Sequence, residues 1–271
     1  MTSTTDAPEF SVRPASLLLF VLIAFGLSDF WSAVRPLFEG LPIGSSTVGF
    51  NLVLGAITWL CLHMEGSSPA RLGSRASHLI AGITAVAAVV LLANLLGLLL
   101  AALLGTSSGV SHLWGERDIG AWIRSIVLQF LIVGLIEELA FRGYLQNWLI
   151  QRFGSESRAG IAAAILIGGL AFSLWHPALS DYFSGAWLEQ LPMLGLLWFS
   201  GIGFGLIYYF SGNLYLAAGL HGLGNTWPFA FSMSNWSPLI LGLFWTLMAG
   251  LYLAAIITCR RMDNGGRQAT T

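Results

Sequence analysis

The sequence contains no lysine, and charged residues of any kind fill only 9% of its 271 positions. All 12 basic residues are arginine, which reads as a compositional bias of the source genome and not as a functional signal. A soluble domain carries about a quarter of its residues as charges, so a soluble globular fold is excluded. The net charge of -1 leaves no basic surface for nucleic acid or for a polybasic lipid contact. Cysteine is scarce as well. Cys61 and Cys259 fall near the ends of different apolar segments without a spacing pattern, and they say little about redox compartment. Long polar stretches are also missing, so no soluble domain of useful size is left over.

What is present is apolar. Hydrophobic residues are 56% of the chain and the mean hydropathy is +0.76. A spanning helix needs roughly 20 apolar residues, which leaves room for about eight spans with short connections. The expected fold is all-α: a polytopic membrane helix bundle of about eight transmembrane helices, forming a single membrane domain over residues 1–271. Residues 1–14 and 259–271 are its polar tails.

The expected spans run from about Ala15 to Val34, Ser45 to Met64, Ser77 to Leu104, Trp122 to Ile150, Ala159 to His176, Trp187 to Phe210, Leu214 to Trp227 and Pro238 to Thr258. The first lacks a small-x-small cleavage site, because Phe30 and Trp31 crowd its end, and it reads as a retained helix and not a signal peptide. Asp29, near the far end of that run, reads as an interfacial carboxylate. Pro177 stops the fifth span, and Ser211-Gly212-Asn213 is a tight reversal. No internal repeat and no inverted pair of broken helices is evident. With both termini cytoplasmic, eight arginines lie inside and three outside (Arg35, Arg117 and Arg124), with Arg142 inside a span. That bias supports an even number of spans with both ends inside.

Three formal charges interrupt the fourth span, in Glu137-Glu138-Leu139-Ala140-Phe141-Arg142. Charge at bilayer depth is costly and is retained where it faces a protein interior and has a partner. Residues four apart share a helix face, so Glu138 and Arg142 can pair, while Glu137 is turned about 100° away. Glu137 is thereby a candidate general base in a dry site. The same residues also fit a packing cluster in which both glutamates share the arginine. Two further placements favour chemistry. Phe172-Ser173-Leu174-Trp175-His176 ends the fifth span with an imidazole, and His221 and Asn225 lie four apart on the seventh, among Gly219, Gly222 and Gly224, which permit close helix approach. His63, His78 and His112 lie at helix ends or loops and receive no role.

Two histidines and a carboxylate, here His176, His221 and Glu137, form a set that can bind a divalent metal such as Zn²⁺, and the same groups can activate water without one. The positions lack the local spacing of a helical zinc motif, and both readings stay open. In either, Glu137 takes a proton from the attacking water, aided by His176, while His221 and Asn225 donate hydrogen bonds to the oxyanion.

Glu-Glu-x-x-x-Arg at Glu137 to Arg142, Phe-x-x-x-His at Phe172 to His176 and His-x-x-x-Asn at His221 to Asn225, in that order on successive helices, resemble the CAAX-protease and bacteriocin-processing family of intramembrane peptidases, also called the Abi family. The resemblance covers roughly residues 122–230 and is closest to the type-II CAAX prenyl endopeptidase architecture. It implies an intramembrane endopeptidase in which Glu137 and His176 activate water and His221 with Asn225 stabilises the oxyanion. Glu138, Arg142 and Phe172 are its supporting motif residues. The family is commonly labelled metalloprotease, and a metal-free glutamate mechanism has also been argued for it. The implied substrate is a peptide or lipidated protein at the bilayer, and the implied location is a bacterial plasma membrane, as a multi-pass protein. Bacterial members are linked to peptide maturation, self-immunity or regulation, and the chain's own end, Gln268-Ala269-Thr270-Thr271, is no CAAX box. Two other classes use the same groups: a proton-coupled transporter and a catalytically silent scaffold or immunity protein. The orientation above places His176 at the outer end of its span and Glu137 near mid-membrane, which fits access from the cytoplasm poorly.

Overall fold

In a computed structural model of the chain, residues 10–38, 45–103, 119–176, 187–226, 229, 231–233 and 235–268 are described. The first polar tail up to residue 9, the Glu116-Arg117-Asp118 loop, Pro177, Trp227 and the last three residues lie outside them, as does the side chain of Asp29.

The described residues form a helical bundle. Its helices are α1 (Pro14–Val34), α2 (Ser45–Met64), α3 (Ala76–Leu103), α4 (residues 119–153), α5 (Arg158–Trp175), α6 (Trp187–Ser211), α7 (Leu214–Thr226) and α8 (Pro238–Gln268). Among the described residues, five stretches are long and apolar enough to cross a membrane: Ser46–Met64, Ala76–Leu103, Arg158–Trp175, Leu188–Ser211 and Pro238–Met262. The apolar part of α1 is the shorter run Pro14–Leu27. Large apolar side chains such as Ile80, Ile83, Leu91 and Leu95 on α3 stand exposed on the outside of the bundle, as expected where the solvent is lipid.

Two differences from the sequence reading concern the ends and the middle of helices. The last helix continues through Arg260 and Arg261 to Gln268, because a polar continuation outside the apolar core loses nothing by staying helical. Helix α4 is wound more widely in two stretches, Leu128–Gly134 and Leu139–Gln146, where it takes π-type turns on either side of Leu135–Glu138. Such turns leave carbonyls out of the regular ladder. Here Asn147 answers that locally, its amide donating to the carbonyls of Arg142 (3.2 Å) and Gly143 (2.9 Å) and to Tyr208 Oη (2.9 Å).

Helix α4 lies between two apolar cores. One gathers α1, α2 and α5 around Phe20, Phe50, Phe141, Phe172 and Trp175, and the other gathers α3, α6, α7 and α8 around Leu216, Leu220, Phe231 and Phe244. Leu139 of α4 packs against both. Elsewhere the ends are pinned. Glu65, buried just after α2, accepts hydrogen bonds from the Arg13 backbone N–H (3.0 Å) and from the Ser16 hydroxyl at the start of α1, and Tyr144 of α4 donates to Ser16 Oγ at 2.9 Å. A carboxylate at a helix N-terminus satisfies donors that the helix itself cannot. Between α6 and α7, Gly212 takes φ 65°, a left-handed conformation suited to glycine. The amide oxygen of Asn213 then caps α7 by accepting from the Leu216 N–H at 3.0 Å.

Candidate active site

Glu137, Glu138 and Arg142 of α4 meet His221 of α7 because small residues let those two helices touch. A Cβ added at Gly134 would lie 2.6 Å from the Ala218 carbonyl oxygen, and one at Gly222 would lie 2.7 Å from the Phe130 ring. On its other side α7 presses on α3, where a Cβ at Gly219 would come within 2.5 Å of Val86. Gly224, grouped with these in the sequence reading, has open space around it. The pairings of residue 218 with 134 and of 222 with 130 show that the helices run antiparallel. Side chains lean toward the N-terminus of their own helix, so His221 reaches up to the Glu137–Glu138 level.

His221 is wedged between the two glutamates. Its Nδ1 lies 2.8 Å from Glu138 Oε1, and its Nε2 lies 3.8 Å from Glu137 Oε2. Glu138 is fully buried and also forms the expected i,i+4 ion pair with Arg142, whose Nη1 is 2.9 Å away. The two carboxylates are 100° apart around the helix and still serve one ring, because an imidazole presents a nitrogen to each. The second contact is beyond hydrogen-bond reach, and Glu137 Oε2 accepts no hydrogen bond from the described residues. Both glutamates thus keep a buried Oε2 that accepts no hydrogen bond from the described residues; they differ in that Glu138 Oε1 is held from two sides, by Arg142 and His221.

Aromatic rings complete the enclosure. Phe204 of α6 stacks on the His221 ring with centroids 5.0 Å apart and planes 11° from parallel. The Phe172 ring lies under the Arg142 guanidinium at 4.4 Å and meets His221 edge-on at 5.8 Å. Arg142 continues across to α6, donating to the Gly201 carbonyl at 3.1 Å, and one turn on Gln146 donates to the Gly205 carbonyl at the same distance. These glycines are required by closeness: a Cβ at Gly201 would lie 2.8 Å from Gly169 of α5, and one at Gly205 would displace the Gln146 amide.

His176 joins the cluster from the end of α5. Its ring is 4.4 Å from the Phe172 ring, and its Nδ1–H donates to the Phe172 carbonyl at 2.7 Å, which leaves Nε2 with a lone pair. Asn225 stands apart. It lies one turn beyond His221 on α7, is exposed, and donates from Nδ2 to Oε1 of Gln129 on α4 at 2.9 Å.

Direct contacts thus gather Glu137, Glu138, Arg142, Phe172 and His221, His176 joins them through Phe172, and Asn225 is not brought into the cluster but meets Gln129. Sequence reasoning did not single out Phe204, Gly201 or Gln129. Phe204 is one of 17 phenylalanines and carries no signal, whereas Gln129, a lone amide in an apolar run, did carry one. Helix α5 packs on the second half of α4 and ends at Trp175, just before His176.

Among the described residues no three His, Cys, Asp or Glu side chains are placed to hold one ion. Nδ1 of His176 is turned to a backbone carbonyl and Nδ1 of His221 to Glu138, which leaves Nε2 of each ring as the nitrogen that can meet a water or a metal.

Residues 119–227 match the family model described as type II CAAX prenyl endopeptidase Rce1-like. The match opens with α4 and closes just after α7, so it contains all of the candidate site residues. No curated protein and no solved structure matches the chain.

Proposed function

With residues 119–227 forming an Rce1-like segment, we propose that the protein is an intramembrane endopeptidase that hydrolyses peptide bonds of lipidated or membrane-associated substrates through a glutamate-activated water. The observation that carries this reading is the division of labour on His221: one glutamate grips a ring nitrogen and the other keeps a free oxygen 3.8 Å from the second nitrogen.

In the proposed reaction a water beside Glu137 gives its proton to the free carboxylate oxygen as its own oxygen attacks the scissile carbonyl carbon. His176 assists by accepting a hydrogen bond from that water at Nε2. The oxyanion that forms accepts from Asn225 Nδ2–H and from His221 Nε2–H, the ring donating there as its doubly protonated form while Nδ1–H stays on Glu138. Collapse of the tetrahedral intermediate breaks the C–N bond, and the proton held by Glu137 passes to the departing amine. Glu138 and Arg142 touch neither water nor substrate; they orient His221 and fix α4 against α6. Phe172 and Phe204 keep the ring in place and exclude bulk water.

Detergent-purified wild type and Glu137→Gln, assayed on fluorogenic peptides with and without a farnesylated C-terminal CAAX box and with and without chelator, test this reading. Cleavage by wild type that falls by about 10²–10⁴-fold in Glu137→Gln, with an unchanged melting temperature, is the expected result. Activity in wild type that survives in Glu137→Gln removes Glu137 from the base role. Loss of activity on chelation and its return with added Zn²⁺ overturns the metal-free step.

A further inference from the structure

Gln129 lies eight residues before Glu137, and no role in the reaction above requires it. It sits in the first π-type stretch of α4, where the α7 backbone comes closest. The missing Cβ of Gly222 would be 3.0 Å from the Gln129 carbonyl oxygen, and that of Gly134 would be 2.9 Å from the same atom. At this crossing the Gln129 side-chain oxygen accepts Asn225 Nδ2–H at 2.9 Å. Gln129 is partly buried against α7, while Ile123, Val127 and Leu131, all about half exposed, stand on the other side of α4. Two amides at a crossing of apolar helices are unfavourable unless each satisfies the other or meets a polar ligand. An asparagine amide can also be turned end for end, which exchanges its donor and its acceptor. The Gln129 amide, turned with its oxygen toward Asn225, decides which end is which.

We propose that Gln129 is a positioning residue: by accepting one Asn225 N–H it holds that amide so that the other N–H is presented to the oxyanion of the substrate. The inference rests on the endopeptidase reading. A conservative pair of variants separates its role from general packing. Gln129→Met fills the same space with no acceptor, and Gln129→Glu keeps an acceptor oxygen.

Cleavage kinetics of the full-length protein on one peptide substrate provide the test. Gln129→Met is expected to lower kcat about tenfold with KM within about twofold, the size expected for one lost hydrogen bond in the transition state, while Gln129→Glu retains most of kcat. In an Asn225→Ala background, Gln129→Met should have no further effect, since a residue acting only through Asn225 has nothing left to position. Multiplying effects of the two substitutions, an effect on KM in place of kcat, or a Gln129→Glu as impaired as Gln129→Met would each overturn the proposal. Such a failure is distinct from failure of the endopeptidase reading, which shows as Glu137→Gln cleaving like wild type. Absence of any wild-type cleavage overturns both.

Discussion

Adjacent glutamates with opposite duties are separated by what each touches. Glu138 is enclosed by Arg142 at 2.9 Å and His221 at 2.8 Å, so removing it strands a buried guanidinium as well as freeing the ring. Breaking a buried pair from one side costs about 3–5 kcal/mol. Glu138→Ala is therefore expected to lower the melting temperature by several degrees and to abolish cleavage, whereas Glu137→Gln abolishes cleavage alone. Thermal unfolding of both purified variants in one detergent checks the contrast, and equal melting temperatures would contradict the assigned roles. The pairing of Glu138 with Arg142 was legible from i,i+4 spacing. The grip of Glu138 on His221 was not, because the spacing of two residues 83 apart in sequence is set by how α7 packs, and no local pattern encodes that.

At the scale of the helix, α4 and α7 depend on missing side chains. Gly134→Ala would place a methyl group 2.6 Å from the Ala218 carbonyl, and backbone on both sides cannot yield without moving α7. Cleavage should fall at least tenfold while the protein still inserts and purifies. Gly203→Ala and Gly224→Ala, where nothing lies within 4 Å, should cleave like wild type. The activity of these three variants at equal protein concentration is the measurement. Span limits were read to within a few residues because apolar runs end where polar residues begin, as at Met64 and Ser211. The π-type turns around Glu137 were not legible, since a wide turn and a regular one share the same apolar pattern, and neither was the continuation of α8, whose end is polar.

For the whole molecule, the arginines flanking the α4–α5 turn, Arg152 and Arg158, favour placing that turn in the cytoplasm. The eighteen residues of α5 span about 27 Å, and on that orientation His176 would lie toward the opposite face. Both native cysteines are buried, so a single exposed thiol can report orientation. Glu156→Cys, in the exposed turn between α4 and α5, should react with a membrane-impermeant maleimide in inside-out vesicles and not in right-side-out ones. The reverse pattern would turn the site toward the cytoplasm.

Helix α7 has thirteen residues, about 20 Å of helix, and cannot cross the bilayer core by its own length. It settles against neighbouring helices, above all α3 and α4, whose Val86 and Gly134 meet its backbone closely. During biosynthesis those two helices leave the ribosome more than 60 residues earlier, so both glutamates enter the membrane long before their histidine partner arrives. On the endopeptidase reading the nascent chain thus holds no oxyanion-binding pair until its final third is made, and neighbouring polypeptides at the insertion machinery would be spared from premature cutting.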